Sequence, residues 1–298
     1  NATRFLLMNL EGRELLPMEQ IELRDIDRWI YHRLNLCARQ IAEAMEAYRF
    51  NDATQAGYDF FWNDFCDWYI EASKASLYSD SPEEQNRAVT LLLDILAEAM
   101  RLLHPFISFV TEEIYQKLPN TEGMLITEAY PLYRPDREFP TSASRFALLQ
   151  EIVKQVRTLR SEFSVPPEKK VRVALKMGQD IEGAEYIARQ KELITRFIQA
   201  SELQITDAVT AEGSVPVAGN GFEAFVFIRD AIDVPFEIDK LTKELAKQEK
   251  LLAGVEAKLA NSNFLANAPQ EVVAKEQGKR VEFSEKIEKI TRHLTLLR

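Results

Sequence analysis

Cysteine, histidine and glycine are scarce in this chain of 298 residues, and each scarcity excludes a kind of site. The two cysteines, Cys37 and Cys66, form no C-x-x-C pair, and the three histidines lie too far apart for metal-ligand spacing. The 10 glycines form neither the G-x-x-x-x-G-K-S/T nor the G-x-G-x-x-G loop that binds phosphates. We therefore predict no catalytic residue and no metal site. The thiols are expected to be reduced, with a distant structural disulfide as the alternative.

Long apolar runs are absent as well. No stretch of about 18 apolar residues exists, so no membrane span is predicted. The first residues, Asn1 to Leu7, lack the basic-then-apolar build of a secretory signal and are typical of the interior of a helix. We therefore expect a cytoplasmic protein, and a piece cut from a longer one.

Acidic residues outnumber basic ones by 47 to 37, and the resulting net charge of −10 is unfavourable for binding nucleic acid. The charge is uneven along the chain. Residues 236–298 hold 12 Lys and Arg against 10 Asp and Glu, while the remaining residues hold 25 against 37. Any contact with RNA is therefore expected to use local basic faces rather than the field of the whole chain.

The spacing of apolar residues predicts a mostly α-helical chain of three domains, formed by residues 1–144, 145–235 and 236–298. Residues 1–118 read as amphipathic helices with short connections, which is typical of a helical bundle. In its centre, aromatic residues at positions 61, 62, 65, 68 and 69 follow the helical spacing of three and four. Trp62 and Trp68 are therefore expected on an aromatic face inside the core, where they stiffen the neighbouring helices.

The second predicted domain mixes strands with helices. Apolar and polar residues alternate over Val171–Met177, which predicts a strand, and residues 202–207 and 222–229 are two further candidates. Turns at Gly213 and at residues 219–221 are expected to separate these two. The pattern predicts a small α+β domain that links the bundle to the last region.

The last region contains two heptad seams, which predict an antiparallel two-helix coiled coil. The first seam runs from Ile238 to Leu259 and the second from Val273 to Leu297, with residues 261–269 as the connection. Three polar side chains stand at seam positions, where they weaken packing but define the register: Gln248, Glu276 and Arg280. Four lysines form one stripe on the first helix: Lys240, Lys243, Lys247 and Lys250.

Several strings of residues resemble the valyl-tRNA synthetase family in order and in spacing, and they extend over nearly the whole chain. They are Asp27-Arg28-Trp29-Ile30, Trp62-Asn63-Asp64-Phe65-Cys66-Asp67-Trp68-Tyr69, Leu103-His104-Pro105-Phe106, Val156-Arg157-Thr158-Leu159-Arg160 and Ala268-Pro269-Gln270-Glu271-Val272-Val273. Two positions depart from the family pattern. Tyr130-Pro131 stands where Trp-Pro is usual, and Asn263-Phe264 stands where Gly-Phe is common. Having Asn263 in place of glycine changes the backbone conformations available at the tip of the hairpin.

The resemblance implies a tRNA-recognition portion, in which an anticodon-binding bundle and a coiled-coil arm hold the anticodon region and the outer corner of a valine tRNA. For the anticodon region it points to Arg4, Asn9, Arg28 and Arg33. For the arm it points to Lys258, Phe264 and Lys275, since an aromatic ring at a hairpin tip can stack on an unpaired base. The expected partners are the valine tRNA isoacceptors and no membrane, and the chain is expected to be a monomer.

For the parent protein the resemblance implies a valine–tRNA ligase that uses ATP with magnesium. The His-Ile-Gly-His and Lys-Met-Ser-Lys-Ser signatures of class I synthetases are absent from these residues. We therefore expect this fragment to lack the catalytic and editing domains, to need no cofactor and to be inactive alone. Two alternatives stay open: the corresponding part of an isoleucyl- or leucyl-type synthetase, and a non-catalytic helical module that binds a protein through its coiled coil.

Overall fold

A computed structural model describes residues 1–119, 121–208, 212–229 and 231–297, except for the side chain of Leu265. The chain divides into two compact units, Asn1–Ala147 and Leu148–Arg298. Helices dominate both units, and a small four-stranded sheet lies in the second unit. The predicted fold class, mostly α with a small α+β portion, is confirmed.

The first unit is a bundle of helices joined by short turns. Its core surrounds α5, whose side chains Leu91, Leu92 and Leu96 are fully buried. The helices of the bundle are α1 (Ala2–Leu10), α2 (Asp25–Glu46), α3 (Phe50–Asp59), a π-helical segment (Phe60–Ile70), α4 (Glu71–Leu77), α5 (Pro82–Leu103), α6 (Ser108–Tyr115) and α7 (Pro140–Glu162), which continues into the second unit.

The start of α5 is defined by two residues of the local sequence. The side-chain oxygen of Ser81 accepts a hydrogen bond from the Glu84 N–H, and Pro82 occupies the first helical position. A side-chain cap satisfies an N–H group that has no partner inside the helix, and proline loses nothing at this position because its nitrogen carries no hydrogen. Local sequence therefore determines this helix boundary.

The aromatic helix departs from the predicted spacing. Residues Phe60–Ile70 form a π-helix, and their buried side chains recur at steps of four and one: Phe60, Asp64, Phe65, Tyr69 and Ile70. In a π-helix the hydrogen bonds run from i to i+5, so side chains four and five apart share a face. Trp62 consequently points outward and is 54% exposed, whereas Trp68 packs edge-on against Phe146 at 5.9 Å. The prediction of a buried Trp62 was wrong, because it assumed the α-helical period.

The second unit contains a sheet with the strand order β2-β1-β4-β3. Strand β1 runs parallel to β2 and antiparallel to β4, and β4 runs antiparallel to β3. The elements in chain order are β1 (Val171–Met177), α8 (Ile181–Arg189), α9 (Lys191–Phe197), β2 (Ala200–Ile205), β3 (Val215–Gly219) and β4 (Phe222–Phe227).

Strand β3 was absent from the sequence prediction, which assigned this stretch to turns. Pro216 and Gly219 lie within it, and both residues weaken the pattern of a strand. β3 pairs only with β4 and stands at the edge of the sheet, where a proline leaves no ladder hydrogen bond unmade. The edge position therefore explains why a strand forms here although its proline and glycine disfavour one.

The arm consists of α10 (Val234–Ala260), the short helix α11 (Ser262–Asn267) and α12 (Gln270–Leu297). Helices α10 and α12 pack against each other, and seam residues such as Leu241, Val255 and Leu294 are buried. Gln248 and Glu276 are buried at their predicted seam positions, whereas Arg280 is exposed and the neighbouring Lys279 is half-buried instead. The seam prediction is thus wrong at Arg280.

The described residues contain no helix long and apolar enough to cross a membrane. Within the same residues, no group of three or more His, Cys, Asp and Glu side chains is arranged to hold a metal ion. Cys37 and Cys66 are both free thiols, so the alternative of a structural disulfide between them is excluded.

Candidate nucleic-acid interface

Two of the residues predicted for the anticodon region lie on α1. Arg4 is exposed and has no ion-pair partner within the part of the chain that the structure describes. Asn9 is half-buried, and its side-chain amide donates a hydrogen bond to the Phe5 carbonyl at 2.9 Å. Arg4 is therefore available to a partner, whereas Asn9 stabilises its own helix.

The other two predicted residues, Arg28 and Arg33, lie on α2. They are five residues apart, about 140° around a helix of 3.6 residues per turn, so they do not form one patch. The Arg33 Nε donates to Asp64 Oδ2 at 2.7 Å. Burial raises the pKa of Asp64, and the Arg33 charge opposes that rise by favouring the carboxylate. Arg33 thus ties α2 to the π-helical segment, while half-buried Arg28 has no ion pair among the described residues.

Exposed aromatic rings flank this region of the bundle, and sequence reasoning placed one of them in the core. The rings of Tyr58 and Trp62 are nearly parallel, with centroids 6.2 Å apart, and both side chains are exposed. Asp52 and Asp59 stand on the same stretch of helix, and their charge disfavours phosphate. This surface therefore offers rings for stacking beside acidic side chains.

The strongest concentration of positive charge lies on one flat side of the arm. An α-helix turns by about 100° per residue. Viewed along each helix axis, these lysines are rotated by about 60–140° in one direction from a buried seam residue, which is Val255 on α10 and Glu276 on α12. The two helices are antiparallel, so the same angular offset falls on the same flat side of both. We call this side the lysine face; it consists of Lys240, Lys243, Lys247, Lys250, Lys258, Lys275, Lys279, Lys286 and Lys289.

Contacts at the base of the arm agree with this geometry. The Lys240 ammonium on α10 donates to Ser164 Oγ at 2.7 Å, and the Lys289 ammonium on α12 donates to Glu162 Oε1 at 2.5 Å. Glu162 and Ser164 are two residues apart at the end of α7, so lysines from both helices reach the same spot. The lysine face is therefore one continuous side, formed by two segments about 50 residues apart in sequence.

The two sides of the arm differ in sign. On the lysine face, nine lysines stand against five carboxylates, two within the same angular range (Glu271 and Glu282) and three beside the seam (Glu237, Glu244 and Glu276). The same angular range on the opposite side carries three carboxylates, Glu249, Glu256 and Glu288, and no lysine or arginine among the described residues. The exposed pairs within one helix, Lys247–Glu244 and Lys286–Glu282, are worth only about 0.3–0.5 kcal/mol each, so a phosphate can replace these two carboxylates.

The predicted arm residues surround the tip and the part of the arm next to it. Lys275 is exposed and makes no ion pair with a described residue, and the Lys258 ammonium is 3.6 Å from Glu276 Oε2. Phe264 is half-buried within α11, whose start is capped by the Asn261 side chain, rather than standing free in a loop. The side chain of the neighbouring Leu265 lies outside the described residues.

A buried carboxylate connects the two helices below the tip. The Lys279 ammonium donates to Glu276 Oε1 at 2.6 Å, and this hydrogen bond, followed by the charge of Lys258, holds the pKa of Glu276 below its usual value. Lys258 belongs to α10 and Lys279 to α12, so Glu276 draws lysines of both helices together. The polar seam position therefore helps to assemble the lysine face.

Comparison with known families agrees with this arrangement. Residues 27–175, half of the chain, match the family described as the anticodon-binding domain of tRNA ligase, which places the chain among the tRNA ligases. Residues 233–298 match the family described as the valyl tRNA synthetase tRNA binding arm, and the chain belongs to the valyl-tRNA synthetase family. The resemblance drawn from the sequence is confirmed.

Individual relatives are valine–tRNA ligases. The enzyme of Treponema denticola is 40% identical over 100% of this chain and 34% of that protein. The enzymes of Treponema pallidum and Geobacter sulfurreducens are each 38% identical, over 95% and 96% of this chain and 32% and 33% of those proteins. The chain spans about a third of the length of these curated relatives.

Proposed function

We propose that this chain is the tRNA-recognition portion of a valine–tRNA ligase and that the lysine face is the side of the arm that meets RNA. The observation that carries the proposal is the charge separation on the arm, since a chain with a net charge of −10 presents one side on which lysines predominate. Phosphate contacts supply most of the sequence-independent affinity for nucleic acid. Lys258, Lys275 and Phe264 would act at the tip end of this side.

The bundle would recognise the anticodon region. Unpaired anticodon bases can be read by polar side chains and stacked on aromatic rings. Arg4 and Arg28 are the predicted contacts that remain without an ion pair among the described residues, whereas Arg33 would act by positioning α2. The partners would be the valine isoacceptors, bound by a monomeric cytoplasmic protein.

The longer protein would be an aminoacyl-tRNA ligase that uses ATP with magnesium. Those groups belong to aminoacylation, and the 298 residues contain no phosphate-binding glycine loop for them. The chain's own contribution would be to place the tRNA, because a correctly oriented substrate lowers the entropic part of the barrier.

The first experiment measures binding of the chain to valine tRNA. We expect binding at 50 mM salt that weakens steeply as salt is raised, and a further loss when the middle anticodon base is changed. An isoleucine tRNA serves as the specificity control. Equal binding of both tRNAs would contradict valine recognition, and no binding at 50 mM salt would leave the protein-interaction module as the function.

The second experiment tests the lysine face with two cations on one helix. Lys286→Ala should weaken tRNA binding and lower the slope of log K against log salt by about 1, because one phosphate contact is lost. Arg280→Ala, six residues away and outside the lysine face, should leave that slope unchanged. Both substitutions keep a strong helix former in an exposed position, so the arm stays folded.

A double variant on the other side of the arm tests whether tRNA binding depends on the lysine face or on the total charge of the arm. Glu249→Gln with Glu256→Gln makes the arm more positive by two charges without touching the lysine face. If only total charge matters, this variant should bind tRNA more tightly. We expect an affinity close to that of the unmodified chain, and a clear gain would refute the one-sided arrangement.

A further inference from the structure

A charged groove lies in the α+β part of the second unit, beside the base of the arm. Its volume is about 860 Å³, and it runs between the turn that follows α7 and helix α9. Seven of its lining residues are charged or polar: Glu168, Lys170, Lys191, Glu192, Thr195, Arg196 and Gln199. Lys191 and Arg196 fall between the two segments that match known families, residues 27–175 and 233–298, so neither match assigns them a role.

Buried Arg160 holds both walls of the groove in place. Its guanidinium donates to the carbonyls of Pro166 at 3.3 Å and Lys169 at 2.8 Å in one wall. It also donates to the carbonyls of Ile198 and Gln199 in the other wall, both at 3.1 Å. Gln199 has a φ of 52°, a left-handed conformation uncommon for a residue other than glycine, and these bonds secure it. The groove is therefore preformed.

The groove continues the lysine face of the arm. Lys240 and Lys289 of that face contact Ser164 and Glu162, and the Phe163 ring lies 4.4 Å from that of His293 on α12. Pro167, the first lining residue, is three residues beyond Ser164, a span of at most about 10 Å. A strand of nucleic acid lying along the lysine face would therefore reach the groove at the base of the arm.

Two cations of the groove, Lys170 and Lys191, are available for a ligand. Lys170 and Lys191 are exposed, and neither makes an ion pair with any residue that the structure describes. Glu168 and Glu192 face the same space and oppose an anion, while Arg196 adds a third positive charge. Unpaired ammonium groups at the rim of a rigid groove suit the dispersed charges of a phosphodiester backbone.

We propose that this groove binds the phosphate backbone of RNA through Lys170 and Lys191, as an extension of the lysine face. The proposal rests on the proposed function, because its ligand is the same tRNA. It adds a contact in the α+β part, between the segments that would hold the anticodon region and the outer corner. The binding surface then runs from the arm across the turn after α7 to α9.

The test compares binding of valine tRNA by the whole chain and its variants over a range of salt concentrations. Lys170→Ala and Lys191→Ala should each lower the slope of log K against log salt by about 1, and the double variant by about 2. Lys176→Ala is the matched control, since Lys176 is an exposed lysine of the same α+β part that does not line the groove. Glu168→Gln with Glu192→Gln should tighten binding.

The outcomes separate the two proposals. If the unmodified chain binds tRNA and Lys286→Ala weakens it, but the groove variants behave like Lys176→Ala, the groove proposal is overturned and the proposed function stands. If the unmodified chain fails to bind tRNA at 50 mM salt, both proposals fall. Circular dichroism of each variant checks that the exposed substitutions leave the fold intact.

Discussion

Replacing Asp27 by alanine should lower the free energy of unfolding of the first unit by about 3–5 kcal/mol, because three donor groups lose their acceptor and one of them, Arg87, loses its counter-charge. Asp27 is 3% exposed and accepts hydrogen bonds from the Tyr69 hydroxyl at 2.8 Å and from the Arg24 N–H at 2.9 Å. It also forms an ion pair with Arg87. Burial, followed by the Asp27 charge, raises the pKa of Tyr69, so its hydroxyl stays protonated and donates.

The measurement is urea-induced unfolding followed by tryptophan fluorescence. The three tryptophans of the chain, Trp29, Trp62 and Trp68, all lie in the first unit, so the signal reports that unit alone. Asp52→Ala is the control, since Asp52 pairs with Arg49 on the surface and its loss should change stability by about 1 kcal/mol or less. An equal loss for both variants would contradict the role of Asp27.

Asp27→Asn distinguishes the charge from the hydrogen bonds. The amide keeps one acceptor oxygen for Tyr69 or for the Arg24 N–H but leaves Arg87 without its counter-charge. We expect a stability between those of the unmodified chain and Asp27→Ala. Because Asp27 lies in the first turn of α2 and Tyr69 in the last turn of the π-helical segment, this carboxylate also joins those two helices.

Replacing Arg160 by leucine should destabilise the second unit by about 3–5 kcal/mol, because four carbonyls lose a charged donor at once. Arg160 is 7% exposed, and burial, followed by the charge of Arg157, lowers its pKa. Its bonds to Pro166, Lys169, Ile198 and Gln199 join the turn after α7 to the end of α9. Because the structure buries Arg160, its charge supports the fold and is not available to a partner.

Hydrogen exchange of residues 166–205 is the appropriate measurement, since the second unit contains no tryptophan. Arg160→Leu should increase the exchange rates of β1 and β2. Arg160→Lys should give rates between those of Arg160→Leu and the unmodified chain, because an ammonium lacks the planar arrangement of donors that a guanidinium offers. Lys154→Leu, an exposed change on the same helix, should alter stability by about 0.5 kcal/mol or less. Unchanged exchange in Arg160→Leu would refute its structural role.

Helices with ordinary periodicity and explicit start signals were predictable from the sequence. Helix α1 spans Ala2–Leu10 and α5 runs from Pro82 to Leu103, both within the residues 1–118 whose apolar spacing predicted amphipathic helices. Such boundaries depend on hydrogen bonds and dihedral preferences within a few residues. The π-helical segment and β3 were not predictable in this way. The π-helical segment changes the spacing at which buried side chains recur, and β3 is defined by its pairing with β4.

The candidate site was only partly predictable for the same reason. Lysines spaced along α10 are visible in the sequence, but their union with lysines of α12 depends on how two antiparallel helices face each other. Arg33 and Arg160 look like free cations in a linear reading, yet Asp64 and a set of backbone carbonyls bind them. The partners of these arginines are distant in sequence, so only the tertiary structure shows whether such a side chain is available to RNA.

The sequence by itself therefore determined the helical class of this protein, its family and the heptad seams of its arm, because these depend on local spacing and recognisable strings. Only the tertiary structure decided which cations remain available to RNA and which support the fold. It also decided that the arm has a lysine face that leads to the groove beside α9. The physical reason is that charges act through distance in space, which a linear order of residues does not specify.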